Sequence, residues 1–157
     1  MPSFDVEFVL DVPASRLWAA LKDGSKIFPK INPQIFGSIS IVSGTDGEVG
    51  ATRYIKFGSA APEGAYVVEK LVAIDVENKV VVSSEVEGGH LAMGFSKWDS
   101  TLKLSPEGHK TQMHFTFDYE GEGPVIQVAT EQAKQGTQPT FEGLAKYLLE
   151  TGEYADC

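Results

Sequence analysis

The chain is nearly without cysteine. Its one thiol, Cys157, is the last of 157 residues, so no disulfide within the chain can hold the fold together, and stability has to come from a packed core. A thiol at a fraying end is also badly placed for nucleophilic catalysis, which needs a thiol held beside a base. A reducing compartment is expected, and with it a cytoplasmic protein. Long apolar runs are absent as well. No stretch approaches the ~18 residues that a membrane span requires, and no membrane partner is expected. The amino terminus, MPSFDVEFVLDV, carries Asp5 and Glu7 inside its apolar stretch and has no basic lead. It reads as a strand and not as a secretion signal.

Positive charge is scarce. Lys and Arg number 13 against 22 Asp and Glu, a net charge of −9. A protein that binds DNA or RNA needs a cationic surface to neutralise phosphates and release their counterions. Here Lys22, Lys26, Lys30, Arg53, Lys56 and Lys70 are scattered, with no basic run and no interleaved aromatics. DNA is excluded as the main partner, and RNA is disfavoured. Histidine is sparse too: His90, His109 and His114 show no metal-ligand spacing with a carboxylate or thiol, so neither metal nor cofactor is expected. His109 falls in the turn PEGHK and His114 opposite Phe115, both surface positions; His90 follows Gly88-Gly89 and is placed to sit at the mouth of a pocket.

What is present is a regular succession of patterns with no internal repeat, so residues 1–157 read as a single domain. Phe4, Val6, Phe8 and Leu10 alternate with polar neighbours, the period of a half-buried strand. In PASRLWAALKDG the apolar residues Ala14, Leu17, Trp18 and Leu21 recur at helical spacing, between Pro13 and Gly24. A second short helix is expected over SKIFPKINPQ, capped by Ser25 and closed by Asn32-Pro33. Six strands follow, at 36–43, 51–59, 64–75, 79–87, 91–104 and 110–120, parted by breaks rich in Gly, Pro, Asp and Ser. Breaks this short join neighbours as hairpins, which predicts an antiparallel meander. The tail is helical, with Phe141, Leu144, Ala145, Leu148 and Leu149 on one stripe. Proline within a helix costs ~3 kcal/mol or kinks it, so a kink or a break is expected near Gly136 and Pro139. The pattern as a whole predicts an α+β domain with helices on one face of a curved sheet.

Gly44, Gly47 and Gly50, in GTDGEVGATRYIKF, raise the question of a phosphate loop. Such loops lead a strand into a helix whose N-terminal amides face the anion. These glycines have neither the dinucleotide nor the Walker spacing, a strand follows them, and Asp46 and Glu48 would repel a phosphate. The stretch reads as a hairpin corner whose glycines adopt positive φ.

Period-two faces mark an inward set: Phe8, Ile55, Phe57, Tyr66, Val81, Ser83, Trp98, Leu102, Phe115, Phe117 and Tyr119, joined by Gln132, Phe141 and Leu144 from the helical tail. Apolar bodies with a few polar tips suit an orienting, mostly greasy pocket, although burial in a core accounts for each residue taken singly. No lysine falls on these faces; Lys56 and Lys97 alternate outward.

The glycine loop with its strand, the stretch VEGGHLAMGFSKWDSTLKLSPEG with its Glu87-Gly88-Gly89 start and Pro106-Glu107-Gly108 turn, and the tail KYLLETGEYADC together resemble the Bet v 1-like, pathogenesis-related class-10 family of plant proteins over nearly the whole chain. The resemblance implies a helix-grip fold, in which a seven-stranded antiparallel sheet wraps a long C-terminal helix and two short helices form a V beneath it. It also implies an internal cavity for small apolar or amphipathic plant metabolites such as cytokinins, flavonoids, sterols and alkaloid precursors. It implies a non-enzymatic binder connected with defence, and a monomer is expected because no long apolar stripe is left unassigned. A norcoclaurine-synthase-like condensing or cyclising enzyme is the alternative; that type uses a cavity lysine, a carboxylate and a tyrosine. Ribonuclease activity, attributed to some members, is a minor reading.

Overall fold

A computed structural model describes residues 2–157. It places β1 (Ser3–Leu10) before α1 (Ala14–Lys22) and α2 (Gly24–Ile31). Then come β2 (Phe36–Ser43), β3 (Thr52–Phe57), β4 (Tyr66–Asp75), β5 (Val80–Gly88), the short α3 (Gly89–Ala92), β6 (Lys97–Glu107), β7 (Lys110–Glu120) and α4 (Val125–Thr151). The strands form one sheet in the order β1-β7-β6-β5-β4-β3-β2, with every neighbouring pair antiparallel. Strands β2 to β7 are a meander of hairpins, and β1 closes it by pairing with β7. The open edges are therefore β1 and β2. Register shifts at Phe36/Ser38 and Ile41/Ser43 kink β2, which spoils it as a template for a further strand.

The dry core lies between one half of this sheet and α4. Phe8 and Leu10 of β1, Leu102 and Leu104 of β6, and Met113, Phe115 and Phe117 of β7 are buried with Ala129, Leu144, Ala145 and Leu148 of α4. Each strand contributes alternate residues and the helix contributes its stripe, as the two periods require. Phe141 ties the layers together, with ring centroids 5.0 Å from Phe115, 6.4 Å from Phe8 and 5.6 Å from Phe28 of α2. Burying such a side chain contributes about 1.5–3 kcal/mol.

Helices α1 and α2 hold the C-terminal end of α4. The last carbonyls of a helix lack partners within it. The Arg16 guanidinium of α1 donates to the carbonyls of Leu148 and Glu153, and a cation there also complements the helix dipole. Gly152, at φ +71°, ends the helix by turning its amide back to Leu148 O at 3.0 Å.

Three local expectations need correction. Ser25 does not cap α2: the helix starts at Gly24 without a side-chain cap, and Ser25 Oγ donates to Asp46 of the glycine loop at 3.3 Å. The tail does not break: α4 runs for 27 residues through Gly136 and Pro139. Pro139 and Gln135, whose carbonyl the proline leaves unpaired, are both exposed, so water takes that carbonyl, and burial of the stripe on both sides outweighs the ~3 kcal/mol penalty. The strand expected from residue 91 starts at Lys97, because Gly89–Ala92 folds into α3.

Candidate functional site

Packing seals only one half of the concave face. Antiparallel partners point the same way, so the registers trace two rows of side chains across it. One runs Phe4, Phe117, Ser100, Ser83, Leu71. The other holds Tyr119 with Trp98 at one end, and Glu85, Glu69, Arg53 and Ile41 at the other. Phe117 and Trp98 are buried, whereas Arg53, Phe57, Glu69, Leu71, Val81, Ser83 and Ser100 keep accessible surface although they face inward. The inner side of β3–β5 is thus only partly covered, and presents apolar bodies with a short strip of polar groups.

One ion pair and one carboxylate–imidazole pair make up that strip. Arg53 pairs with Glu69 across β3 and β4, their side chains 29% and 21% exposed. The second pair is built by the Gly88-Gly89 turn. Gly88 sits at φ +70°, where an added Cβ would lie 2.5 Å from Tyr66 O; Gly89 sits at φ +50°, where a Cβ would lie 2.7 Å from both Glu85 Oε1 and Val67 Cγ2. Only glycine passes this corner, and the corner folds His90 back over the sheet. His90 N donates to Glu85 Oε1 at 2.7 Å, and His90 Nδ1 lies 2.6 Å from Glu85 Oε2. The imidazole stacks on the Trp98 indole, with centroids 3.6 Å apart and planes within 5°, while Phe95 meets it edge-on at 6.0 Å. A carboxylate has no proton to give, so in the neutral imidazole Nδ1 carries the proton and Nε2 is left as an acceptor. Among the described residues Nε2 has no hydrogen-bond partner, and the side chain is 27% exposed.

Of the inward set, Phe8, Ile55, Trp98, Leu102, Phe115, Phe117 and Leu144 are buried, and Phe57, Val81, Ser83, Tyr119 and Phe141 are half-buried. Tyr66 is a correction. It pairs with Lys56 on the convex face, stacks on Tyr54 at 5.2 Å and donates to Glu87 Oε2 at 3.2 Å, which raises its pKa. In YVVEKL the inward phase belongs to Val67, Glu69 and Leu71; choosing Tyr66 for its aromatic ring slipped the strand by one residue, which exchanges its faces. Gln132 is likewise exposed, between Ala129 and Ala133 of the packed stripe. The strand lysines Lys56, Lys70, Lys97 and Lys103 all lie in the outward phase. His109 is exposed, and His114 Nε2 lies 3.4 Å from both Asp5 and Glu7 on the convex side.

The inward set named from the sequence does not include this polar strip, since a charge in a strand is ordinarily solvated. Its signal was there: Glu85 is in phase with Val81 and Ser83, and Glu69 with Val67 and Leu71.

The glycine loop is the corner expected between β2 and β3. Gly44, Gly47 and Gly50 have φ of +78°, +84° and +94°. The amides of Glu48, Gly50 and Ala51 donate to Thr45, Leu71 and Glu48 carbonyls, so they are not free to cradle an anion. Outside the sheet, a groove of about 500 Å³ between β1 and α4 is lined by Val9, Leu10, Ala145 and Leu149 with charged Asp11, Glu142, Lys146 and Glu150. It is wide open and brings no polar groups to a common point. Among the described residues no group of three His, Cys, Asp or Glu is placed to hold a metal ion, and no helix is long and apolar enough to cross a membrane.

A curved antiparallel sheet gripping one long helix, with a polar strip inside its open half, is the helix-grip architecture. The chain belongs to the polyketide cyclase/dehydrase and lipid transport family, whose model matches residues 1–149, and its relatives place it in the Bet v 1-like, pathogenesis-related group. It is 34% identical over 137 residues to the major strawberry allergen Fra a 1-C of Fragaria ananassa, covering 87% of this chain and 84% of that one. It is 32% identical over 149 residues to pathogenesis-related protein 1 of Asparagus officinalis, covering 94% and 93%. The fold superimposes on norcoclaurine synthase from Thalictrum flavum in complex with dopamine and hydroxybenzaldehyde with a TM-score of 0.77, covering 96% of this chain and 87% of that one; at 20% identity this is a likeness of fold.

Proposed function

We propose that the hollow over β3–β5 binds small apolar or amphipathic molecules, of the cytokinin, flavonoid, sterol or alkaloid-precursor kind, and that the protein carries them unaltered as a monomer in a defence-related role. The carrying observation is that Phe57, Leu71, Val81 and Ser83 face inward and yet keep accessible surface, where a packed interior would bury them. Trp98 and Tyr119 border this site, the packed rings Phe115, Phe117 and Phe141 back it, and Ser83, Tyr119, the Arg53–Glu69 ion pair and the Glu85–His90 pair are its polar tips. Membership of a family whose description includes lipid transport supports the same reading. Burying ~200 Å² of ligand apolar surface gives ~5 kcal/mol before association costs. Micromolar affinity, at about 8 kcal/mol, therefore draws on the polar tips as well.

Calorimetric titration of a flavonoid such as naringenin into the protein and into Ser83→Phe tests this. The larger ring fills the hollow, so binding to the variant falls at least about tenfold while folding is kept. Equal affinity for both would refute the site.

A second reading, condensation or cyclisation of the same ligands, is favoured by one observation: the inward strip holds a carboxylate–imidazole pair suited to moving protons. It requires product formation that is lost in Tyr119→Phe. Substrates recovered unchanged after long incubation would exclude it.

A further inference from the structure

The geometry points to a specific job for the Glu85–His90 pair: His90 Nε2 is the acceptor for a phenolic hydroxyl, which makes hydroxylated planar aromatics the preferred ligands. This rests on the binding role proposed for the hollow and narrows it to one chemical class.

The pair is fixed on every side but one. Glu85 takes two hydrogen bonds from the same residue, through the backbone amide and Nδ1 of His90. That locks the tautomer and the ring plane, as a carboxylate does for a metal-bound or catalytic imidazole. One face of the ring is covered by Trp98 at 3.6 Å. Nε2 has no partner among the described residues, and the ring is partly exposed. In its neutral form an imidazole held in this way has one free acceptor and no free donor, so it selects ligands that donate. A phenol is a strong neutral donor carried on a flat ring, and Tyr119, half-buried and packed on Trp98 and Phe95, is an aromatic surface near the imidazole that such a ring can meet. An ether, which only accepts, leaves Nε2 unpaired once water is displaced. The neighbouring Arg53 and Glu69 do not offer the same selectivity, because they are engaged with each other.

The test compares 2-naphthol with 2-methoxynaphthalene by isothermal titration calorimetry. The wild-type protein is expected to favour 2-naphthol by between about twofold and tenfold, the worth of one net hydrogen bond. H90F keeps a ring on Trp98 and removes the acceptor: the preference is expected to vanish while the affinity for 2-methoxynaphthalene changes less than about twofold. Because H90F leaves Glu85 Oε2 without its side-chain donor, the double variant E85Q/H90F, which removes the stranded charge, is measured beside it with a thermal unfolding check. E85Q alone gives an independent reading. Its Oε1 continues to accept from His90 N, so its amide N–H faces Nδ1, and the ring proton moves to Nε2. Long-range ¹⁵N–¹H correlation spectra of the imidazole are expected to show this change of tautomer, and in the wild-type protein a shift of Nε2 upon addition of 2-naphthol but not of 2-methoxynaphthalene.

If both probes bind the wild-type protein equally, or if the preference persists in H90F and in E85Q/H90F, the assignment to His90 is overturned and the binding role stands. If neither probe binds, the binding role falls and the assignment falls with it.

Discussion

The phenol of Tyr154 donates to the Asp23 carboxylate at 2.5 Å, tying the C-terminal segment to the corner between α1 and α2. This bond, helped by partial burial and the nearby charge of Asp23, raises the tyrosine from 10.0 to about 12. Between those values the unfolded chain has lost the proton while the folded chain keeps it. The bond's contribution to stability is complete below pH 10 and is lost as the pH rises through 12. Urea midpoints measured over this window should fall more steeply for the wild-type protein than for Tyr154→Phe. Parallel curves would show that the bond does not form in solution.

Arg16 satisfies the carbonyls of Leu148 and Glu153 where α4 ends. Arg16→Ala leaves the Glu153 carbonyl to water, leaves Leu148 O with the Gly152 amide alone, and removes a cation from the negative end of the helix. A loss of about 1–2 kcal/mol in denaturant unfolding is expected, with amide exchange accelerated first in the last turns of α4.

Gly88 turns the chain at φ +70° with Tyr66 O where a Cβ would go. Gly88→Ala combines a left-handed penalty of about 1–2 kcal/mol with that clash. It should lower the unfolding midpoint and also disturb the His90 imidazole resonances, because the same corner places His90 on Trp98. A variant as stable as the wild-type protein would mean that the turn tolerates another path.

Tyr66 separates the two faces of β4. It lies against Tyr54 and Glu87 on the convex side, so Tyr66→Phe should leave ligand affinity within about twofold, whereas Tyr119→Phe, on the concave side, should lower it by the worth of about one hydrogen bond. The reverse order would invert the assignment of faces.

Most of the architecture could be read in the sequence because the two periods of apolar residues are clean. Phe4 to Leu10 and Met113 to Tyr119 alternate without interruption, and both fall inward as expected. What was illegible has local causes. β4 and β5 pair with register shifts at Val68/Glu69 and Leu71/Ala73, so alternation within each strand does not tell which residues face each other across the pair. The unbroken α4 is a tertiary effect, since no propensity at Gly136 or Pro139 reveals that packing on both sides will carry the helix through. The His90–Glu85 pair depends on a two-glycine corner whose direction only the folded backbone fixes. Alternation did mark Glu85 and Glu69 as inward, but a charge in a strand is ordinarily solvated, and that expectation hid them.

The central claim is that the open half of the sheet holds small molecules without altering them. Native mass spectrometry after incubation with a mixed panel of cytokinins, flavonoids and alkaloid precursors addresses it most directly, with the panel compounds weighed again in the same run. One ligand per chain at unchanged ligand mass is the predicted result. Altered ligand masses would make the protein an enzyme, and a bare protein peak across the whole panel would contradict the claim.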